Sequence, residues 1–413
     1  MSRPRVYILG GTQSDFANNL YRSGGDIASL FIDTVRQGLD ACALDPAEVE
    51  VGHVGNFVSS LFTGQSQLGG FFGHVDPAMA TLPASSHEAA CASGSMALLA
   101  AMADLQAERY DVACVVGIEV MRNVPGDDAA NNLRPAAWAS QEWQDTPYVW
   151  PCAFDNMIDE YQQRYGLDKQ HLYAIAQQNF DNAKLNPNAQ SRNWQFGPDS
   201  FSDDDTANPR ISGNIRRQDC GQITDGAAVV FLASEQRAKD YATQRGIALE
   251  SLPYIKGWGH INAPIGFAEK LRMSAGQPAI FPHIQQLFSQ TLQRAGMTHI
   301  NDVDGLEVHD CFSITEYMII DHCGLYSPGE AWKAIENGDI APSGKLPVNM
   351  SGGLIGLGHP VGATGVRMAL DASKQVRQTA GGYQIAGAKN IMTFNLGGSA
   401  TTCASLIIGR DTP

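Results

Sequence analysis

Residues 87–105 read HEAACASGSMALLAAMADL. From Ser93 onward, almost every position is apolar or small, with no polar stripe at helical spacing. A helix that is apolar on nearly every face belongs in the middle of a domain. Its Gly, Ser and Ala content lets neighbouring backbone approach closely. The stretch therefore predicts a central helical layer with sheets covering both sides.

Working outward, short β-branched runs bounded by Gly, Asp and Asn alternate with longer helical patterns. Segments 5–11, 51–60, 110–121, 223–234, 304–310 and 390–398 read as strands, and 26–42, 94–110 and 362–378 as helices. That alternation predicts an α/β fold with parallel or mixed sheets. A faint pseudo-repeat runs through it. In each half a strand precedes one reactive side chain, Cys91 or His359, and a helix and another strand follow. Two such βαβ-type halves facing each other would bring the two helix starts together.

At 413 residues and 44% hydrophobic, the chain has enough material for a large core without metals or crosslinks. The net charge of −15 argues against a nucleic-acid partner, which needs clustered Lys and Arg. None of the eight cysteines stands in a close pair of the zinc or redox type, so no metal site is expected. Most lie in apolar runs, as expected for packed thiols in a reducing, cytoplasmic compartment. The polar start runs directly into a first strand, and the tail carries no recognisable address. The apolar run AACASGSMALLAAMA (89–103) is only about three-quarters of the ~20 residues of a membrane span, so no membrane is expected.

Residues 122–218 differ in character. "NLRPAAWASQEWQDTPYVWPCAFDNM" (132–157) is rich in aromatics, Asn and Pro, and a polar helical pattern follows at 168–187. This reads as a long insertion, either a functional cover or an oligomer-contact arm. Its aromatics Trp138, Trp143, Tyr148 and Trp150 either line a pocket or simply pack.

Four segments carry chemistry. Cys91 sits where a loop enters the buried helix, and unpaired N–H groups at a helix start lower a thiol's pKa; the alternative is a packed thiol. In "GLEVHDCFS" (305–313), Glu307, His309 and Cys311 would share a face if the strand continued, unless His309 and Cys311 are only core residues. "NMSGGLIGLGHPVGATG" (349–365) sets His359 before Pro360 at a helix start, where the dipole favours a neutral imidazole. A phosphate loop competes for that segment, but the Lys–Ser/Thr ending is missing. In "FNLGGSATT" (394–402), the N–H groups of Gly397 and Gly398 are placed to form an oxyanion hole.

Taken together and in this order, these segments resemble the thiolase family across essentially the whole chain. "CASGSMAL" (91–98) looks like its nucleophile segment, "DCGQITDGAAVVFLAS" (219–234) its strand returning from a loop domain, and "GGLIGLGHPVGATG" (352–365) its histidine loop. The resemblance implies two similar halves in five αβαβα layers with an inserted loop domain. The expected divisions are 1–121 with 219–255, 122–218, and 256–413. Many thiolases carry Asn-Glu-Ala-Phe where this chain has His309-Asp310-Cys311-Phe312, and a cysteine where it has Asn395. The His-Asp-Cys-Phe version is similar to the sterol-carrier-protein-associated branch.

That resemblance implies an acyltransferase of lipid metabolism and fatty acid β-oxidation. Cys91 would take the acyl group of a 3-oxoacyl-CoA, and His359 would accept its proton. Backbone N–H groups of Cys91 and Gly397 or Gly398 would hold the oxyanion. His309 and His359 would stabilise the acetyl-CoA enolate, and Cys311 would protonate it; the reverse is a Claisen condensation. No permanently bound cofactor is implied, coenzyme A being a substrate. A homodimer or homotetramer is implied, as is a small accessory subunit in some relatives. Three rivals remain: a thiolase-like retro-aldol lyase acting on 3-hydroxyacyl-CoA with a partner subunit, a β-ketoacyl-carrier-protein synthase, and a non-catalytic scaffold.

Overall fold

The computed structural model describes residues 4–411, so the first three residues of the polar start and the last two of the tail lie outside the described residues. The chain opens with β1 (Val6–Gln13), α1 (Ile27–Cys42), β2 (Val51–Gly55), β3 (Ala84–His87), α2 (Ser93–Gln106) and β4 (Val112–Glu119). It then leaves the sheet through α3 (Gly126–Leu133), α4 (Val149–Tyr165), α5 (Lys169–Ala183) and the small hairpin of β5 (Arg210–Ser212) and β6 (Ile215–Arg216). It returns as β7 (Gly226–Ser234), the immediate antiparallel neighbour of β4. The second half runs β8 (Tyr254–Asn262), α6 (Pro282–Arg294), β9 (Gly305–Val308), α7 (Ser313–His322), α8 (Val361–Val376), β10 (Asn390–Gly397) and β11 (Thr402–Gly409).

Both halves have one topology. In the first, strands lie in the order β3-β2-β4-β7-β1, the first two contacts parallel and the last two antiparallel. In the second, the order is β9-β10-β11-β8, parallel once and then antiparallel twice. A parallel bridge between Leu306 and Val348 stands where β3 stands in the first half. The repeat that was faint in sequence is therefore plain in strand order. The two covering sheets are wings of one nine-stranded sheet, joined where Tyr7 of β1 pairs with Tyr254 of β8.

The wings enclose α2 and α8. Val115 and Val230 of one wing and Leu406 and Ile408 of the other meet Leu98 and Ala101 of α2 and Val366 and Leu370 of α8. Phe31, Val35 and Leu39 of α1 cover the outside of the first wing, and Leu287 and Phe288 of α6 the outside of the second. Five αβαβα layers result. Each fully buried aliphatic or aromatic side chain contributes about 1.5–3 kcal/mol of transfer free energy.

The two central helices touch at glycine. A Cβ on Gly94 would stand 2.7 Å from the Gly362 carbonyl oxygen, and one on Gly365 2.3 Å from the Ser95 nitrogen. Backbone-to-backbone packing of this kind is open only to glycine. It draws the N-terminal ends of α2 and α8 together, and with them Cys91 and His359. Among the described residues, no helix is long and apolar enough to cross a membrane.

Candidate active site

Cys91 lies in a 3-10 turn, Ala90–Ala92, that runs into α2. Ala90 holds a φ of +50°, a left-handed conformation unusual for a residue with a Cβ. The Ser93 hydroxyl pins the turn, accepting from the Ala89 N–H (2.9 Å) and donating to the Ala90 carbonyl (2.6 Å). The backbone N–H of Gly398 donates to the thiol. Burial nonetheless pushes the Cys91 thiol up to about 12, and the nearby Glu119 carboxylate adds to the rise. The lowered pKa expected from the helix start is thus reversed: desolvation of a thiolate outweighs the partial charge of a few N–H groups.

His359 precedes Pro360, the N-cap of α8. Its Nδ1 lies 2.7 Å from the Thr364 hydroxyl, which itself donates to the Pro360 carbonyl over 3.1 Å. The hydroxyl proton being committed, Nδ1 must be the donor and Nε2 carries the lone pair. Among the described residues, Nε2 has no hydrogen-bond partner. The imidazole is held neutral, pushed down to about 3 by burial first and by the Arg367 charge second. The expected neutral state is present, and burial is its largest cause.

His309 shows the opposite tautomer. The Asn395 amide donates to the Cys91 carbonyl (3.1 Å) and to His309 Nδ1 (2.9 Å), and its oxygen accepts from the Ser95 hydroxyl (2.8 Å). The Cys91 carbonyl can only accept, so it fixes the amide's orientation. Nδ1 of His309 therefore accepts, and the proton sits on Nε2, again without a hydrogen-bond partner among the described residues. Burial, with His359 and Arg367, pushes this imidazole well down too. The two rings meet edge to face with centroids 5.1 Å apart. The Cys91 sulfur and a nitrogen from each ring lie within 4.8 Å of one another. One thiol and two imidazoles in opposite tautomers thus converge. As donor types, a thiol and two imidazoles also suit a zinc-like ion.

Cys311 arrives by another route. The strand stops at Val308, so the predicted alternation does not carry through to it. Glu307 turns into the central layer, accepting from Arg367 (3.0 Å) and Ser351 Oγ (2.6 Å). The returning segment holds Cys311 instead: Gly221 N–H donates to its carbonyl over 2.8 Å, and Cys220 bridges Phe312. Burial pushes this thiol well up, and the nearby Cys91 adds to the rise.

The two glycines separate in function. A Cβ on Gly397 would stand 2.2 Å from the Ala89 carbonyl oxygen, so Gly397 lets β10 close onto the Cys91 turn. Gly398, at φ +61°, aims its N–H at the thiol. The hairpin bearing it is clamped by Lys270, whose ammonium donates to Ser399 Oγ (2.9 Å), Thr401 Oγ1 (2.9 Å) and the Ile265 carbonyl (3.2 Å).

Several supporting residues went unread in the sequence. Asp310 accepts from the Leu354 and Ile355 N–H groups, tying the His309–Cys311 turn to the loop that carries His359. Asn179 of α5 donates to both Asp310 (2.9 Å) and Glu316 (2.7 Å). Glu119 accepts from the Phe57, Val58 and Gly362 N–H groups, joining the first half to α8. Burial pushes its carboxyl up to about 7. The available signal was an acid inside an apolar run, as in "VVGIEVM" (115–121).

Cys91, Cys311 and His359 open into a cavity of about 310 Å³. Phe57, Met121, Leu133, Trp150, Phe154 and Phe312 supply much of its wall. Of the four aromatics in question, Tyr148 and Trp150 line it. Trp143 packs on Phe267 with its Nε1–H donating to Asn156, and Trp138 lies exposed near Gly266. A second cavity, lined by Phe180, Trp194 and Phe196, shares Arg217 and Gln222 with the first.

Residues 6–196 match the family model described as "Thiolase, N-terminal domain", and residues 271–410 match "Thiolase C-terminal domain-like". An "Acetyl-CoA acetyltransferase" of Methanothermobacter thermautotrophicus is 29% identical over 98% of this chain and 99% of its own. The human "Sterol carrier protein 2" is 26% identical over 95% of this chain and 70% of its own. Among solved structures, the "Ltp2-ChsH2(DUF35) aldolase" superposes with a TM-score of 0.77 at 19% identity, covering 100% of this chain and 99% of the other.

Proposed function

Since the chain belongs to the thiolase family, we propose that it cleaves 3-oxoacyl-CoA with coenzyme A to acyl-CoA and acetyl-CoA, or runs the reverse Claisen condensation, through an acyl-Cys91 intermediate. The convergence of the Cys91 thiol with one ring nitrogen each of His309 and His359 within 4.8 Å, the two rings held in opposite tautomers, carries this reading. His359 Nε2 takes the thiol proton as sulfur attacks the 3-keto carbon. A thiol near 12 is no nucleophile at rest, so deprotonation accompanies attack. The N–H groups of Gly398 and Cys91 receive the oxyanion. Carbon–carbon cleavage expels the enolate of acetyl-CoA, whose oxygen faces two donors, His309 Nε2–H and the newly protonated His359. Cys311 gives that enolate a proton at carbon. Its thiolate then takes the proton of incoming coenzyme A, whose sulfur collects the acyl group as the Cys91 thiolate leaves and regains its proton from His359.

The His-Asp-Cys-Phe segment and the sterol-carrier-protein relative support placement in that branch. The second cavity, with its aromatic walls and the Arg217 guanidinium, suits the nucleotide end of coenzyme A. Eight free cysteines support a reducing, cytoplasmic location. A homodimer or homotetramer, with or without an accessory subunit, completes the reading.

The aldolase likeness favours a second reading, retro-aldol cleavage of a 3-hydroxyacyl-CoA alongside a partner subunit. Two thiols at one cavity count against it, since a retro-aldol reaction needs no acyl carrier. Incubation with a 3-oxoacyl-CoA in the absence of free coenzyme A separates the two. An acyl mass increment on Cys91, absent from Cys91→Ala, is expected. An unmodified Cys91 with 3-hydroxyacyl-CoA cleavage would reverse the assignment.

A further inference from the structure

The acyl side of the cavity is built from omissions. Helix α3 presents Gly126 and Ala130, one turn apart and therefore on one face, and both line the cavity wall together with Leu133. Gly126 is exposed and a Cβ added there meets no atom within 4 Å, so the trough is open at this end of α3. Phe57, Met121 and Val361 complete an apolar trough, and Cys91 packs against the same cluster. The cavity's 310 Å³, shared by the α3 side and the Arg217 side, is about ten times the ~30 Å³ share of one water.

Charge divides the cavity into two arms. Among the described lining residues, Arg217 carries the only formal charge, and it sits where the two cavities join. No other cation is among the described lining residues, so a carboxylate at the far end of an acyl group lying along α3 would be desolvated without a partner. Resting on the thiolase reading above, we infer that the acyl group transferred to Cys91 is an uncharged apolar chain longer than acetyl, lying along α3, and that Gly126 and Ala130 set its length.

Thiolysis measured with acetoacetyl-CoA, 3-oxohexanoyl-CoA, 3-oxooctanoyl-CoA and the carboxylated 3-oxoadipyl-CoA tests this. The kcat/KM for 3-oxooctanoyl-CoA is expected to exceed that for acetoacetyl-CoA by about tenfold or more, a gap of about 1.4 kcal/mol. The 3-oxoadipyl thioester is expected to be the poorest. In Gly126→Leu and, separately, Ala130→Leu, the octanoyl-to-acetoacetyl ratio is expected to fall about tenfold. A native preference for acetoacetyl-CoA, or an unchanged ratio in both variants, overturns the acyl-wall assignment and leaves the thiolase reading standing. Turnover of none of the four by the native protein removes the thiolase reading itself.

Discussion

The Asn395 amide donates to Nδ1 of His309 across 2.9 Å and so decides which imidazole nitrogen presents a proton to the cavity. With His359 locked in the other tautomer by Thr364, the two rings offer one N–H and one lone pair. Asn395→Leu removes the donor and frees His309 to flip or change tautomer. Turnover is expected to fall by about 10²-fold, the scale of a lost oxyanion contact, and the acyl-Cys91 adduct to form correspondingly more slowly but to the same final extent. An adduct lost as completely as turnover would argue for collapse of the turn instead.

Cys91 should titrate as a hidden thiol. With its pKa near 12, the rate of alkylation by iodoacetamide is expected to climb about tenfold per pH unit from pH 6 to pH 10, with no plateau near neutrality. The Glu119 charge raises that pKa, so Glu119→Gln should alkylate faster at each pH above 7. Peptide mapping of the modified cysteine reads both effects. A neutral-pH plateau would mean a preformed thiolate–imidazolium pair.

His359 links stability to acid. Its folded pKa, about 3, lies below the ordinary 6.5, so between those values the unfolded chain binds a proton that the folded chain refuses. The contribution is complete above 6.5 and is lost as pH falls toward 3, at up to about 1.4 kcal/mol per pH unit. Urea melts at pH 7, 6 and 5 should show a shallower acid decline for His359→Gln than for the native chain.

Arg367 is the buried counter-charge of the central layer. It is fully buried and donates to Glu307 (3.0 Å), Ser351 Oγ (3.0 Å) and Asp371 (3.4 Å). Arg367→Met leaves buried Glu307 without its cation, whereas Asp371 keeps Lys374 and the Tyr383 hydroxyl, and is expected to cost about 3–5 kcal/mol in denaturant midpoint analysis. A double variant that also carries Glu307→Gln should recover part of the loss.

Lys270→Met should act on the hairpin rather than on the chemistry directly. Without the ammonium, Ser399 and Thr401 lose their common donor, and Gly398 is no longer fixed against Cys91. A fall in kcat of about tenfold or more with little change in KM is expected, in the manner of a lost transition-state contact. Lys270→Arg should recover part of it.

The central helix was legible because residues 93–103 are apolar or small all round, and helical period needs no tertiary information. The strands Tyr254–Asn262 and Thr402–Gly409 were not read. The first interleaves Lys256, Gly257, Gly259 and His260, and its glycines are there for α6: a Cβ on Gly257 would stand 2.3 Å from the Thr291 carbonyl oxygen. The site residues Cys91, His309, Cys311 and His359 were named from motif order, but their electrostatics were not. A helix start is visible in sequence; the depth at which it is buried is not. Asn395 illustrates the same limit. In sequence it marked only where a cysteine was missing, and its three hydrogen bonds depend on partners some 86 to 304 residues away.

That distance bears on how the molecule is made. The nucleophile comes from one half, its base and enolate donors from the other, and the helices between them touch through glycine backbone that tolerates no offset. Synthesis of the first half alone therefore leaves Cys91 on an apolar helix with half its sheath missing, a surface for chaperones to hold. Contacts this distant in sequence form late and slowly. Recovered catalysis on refolding should lag recovered helicity, which makes acyl transfer a clock for the last step of assembly.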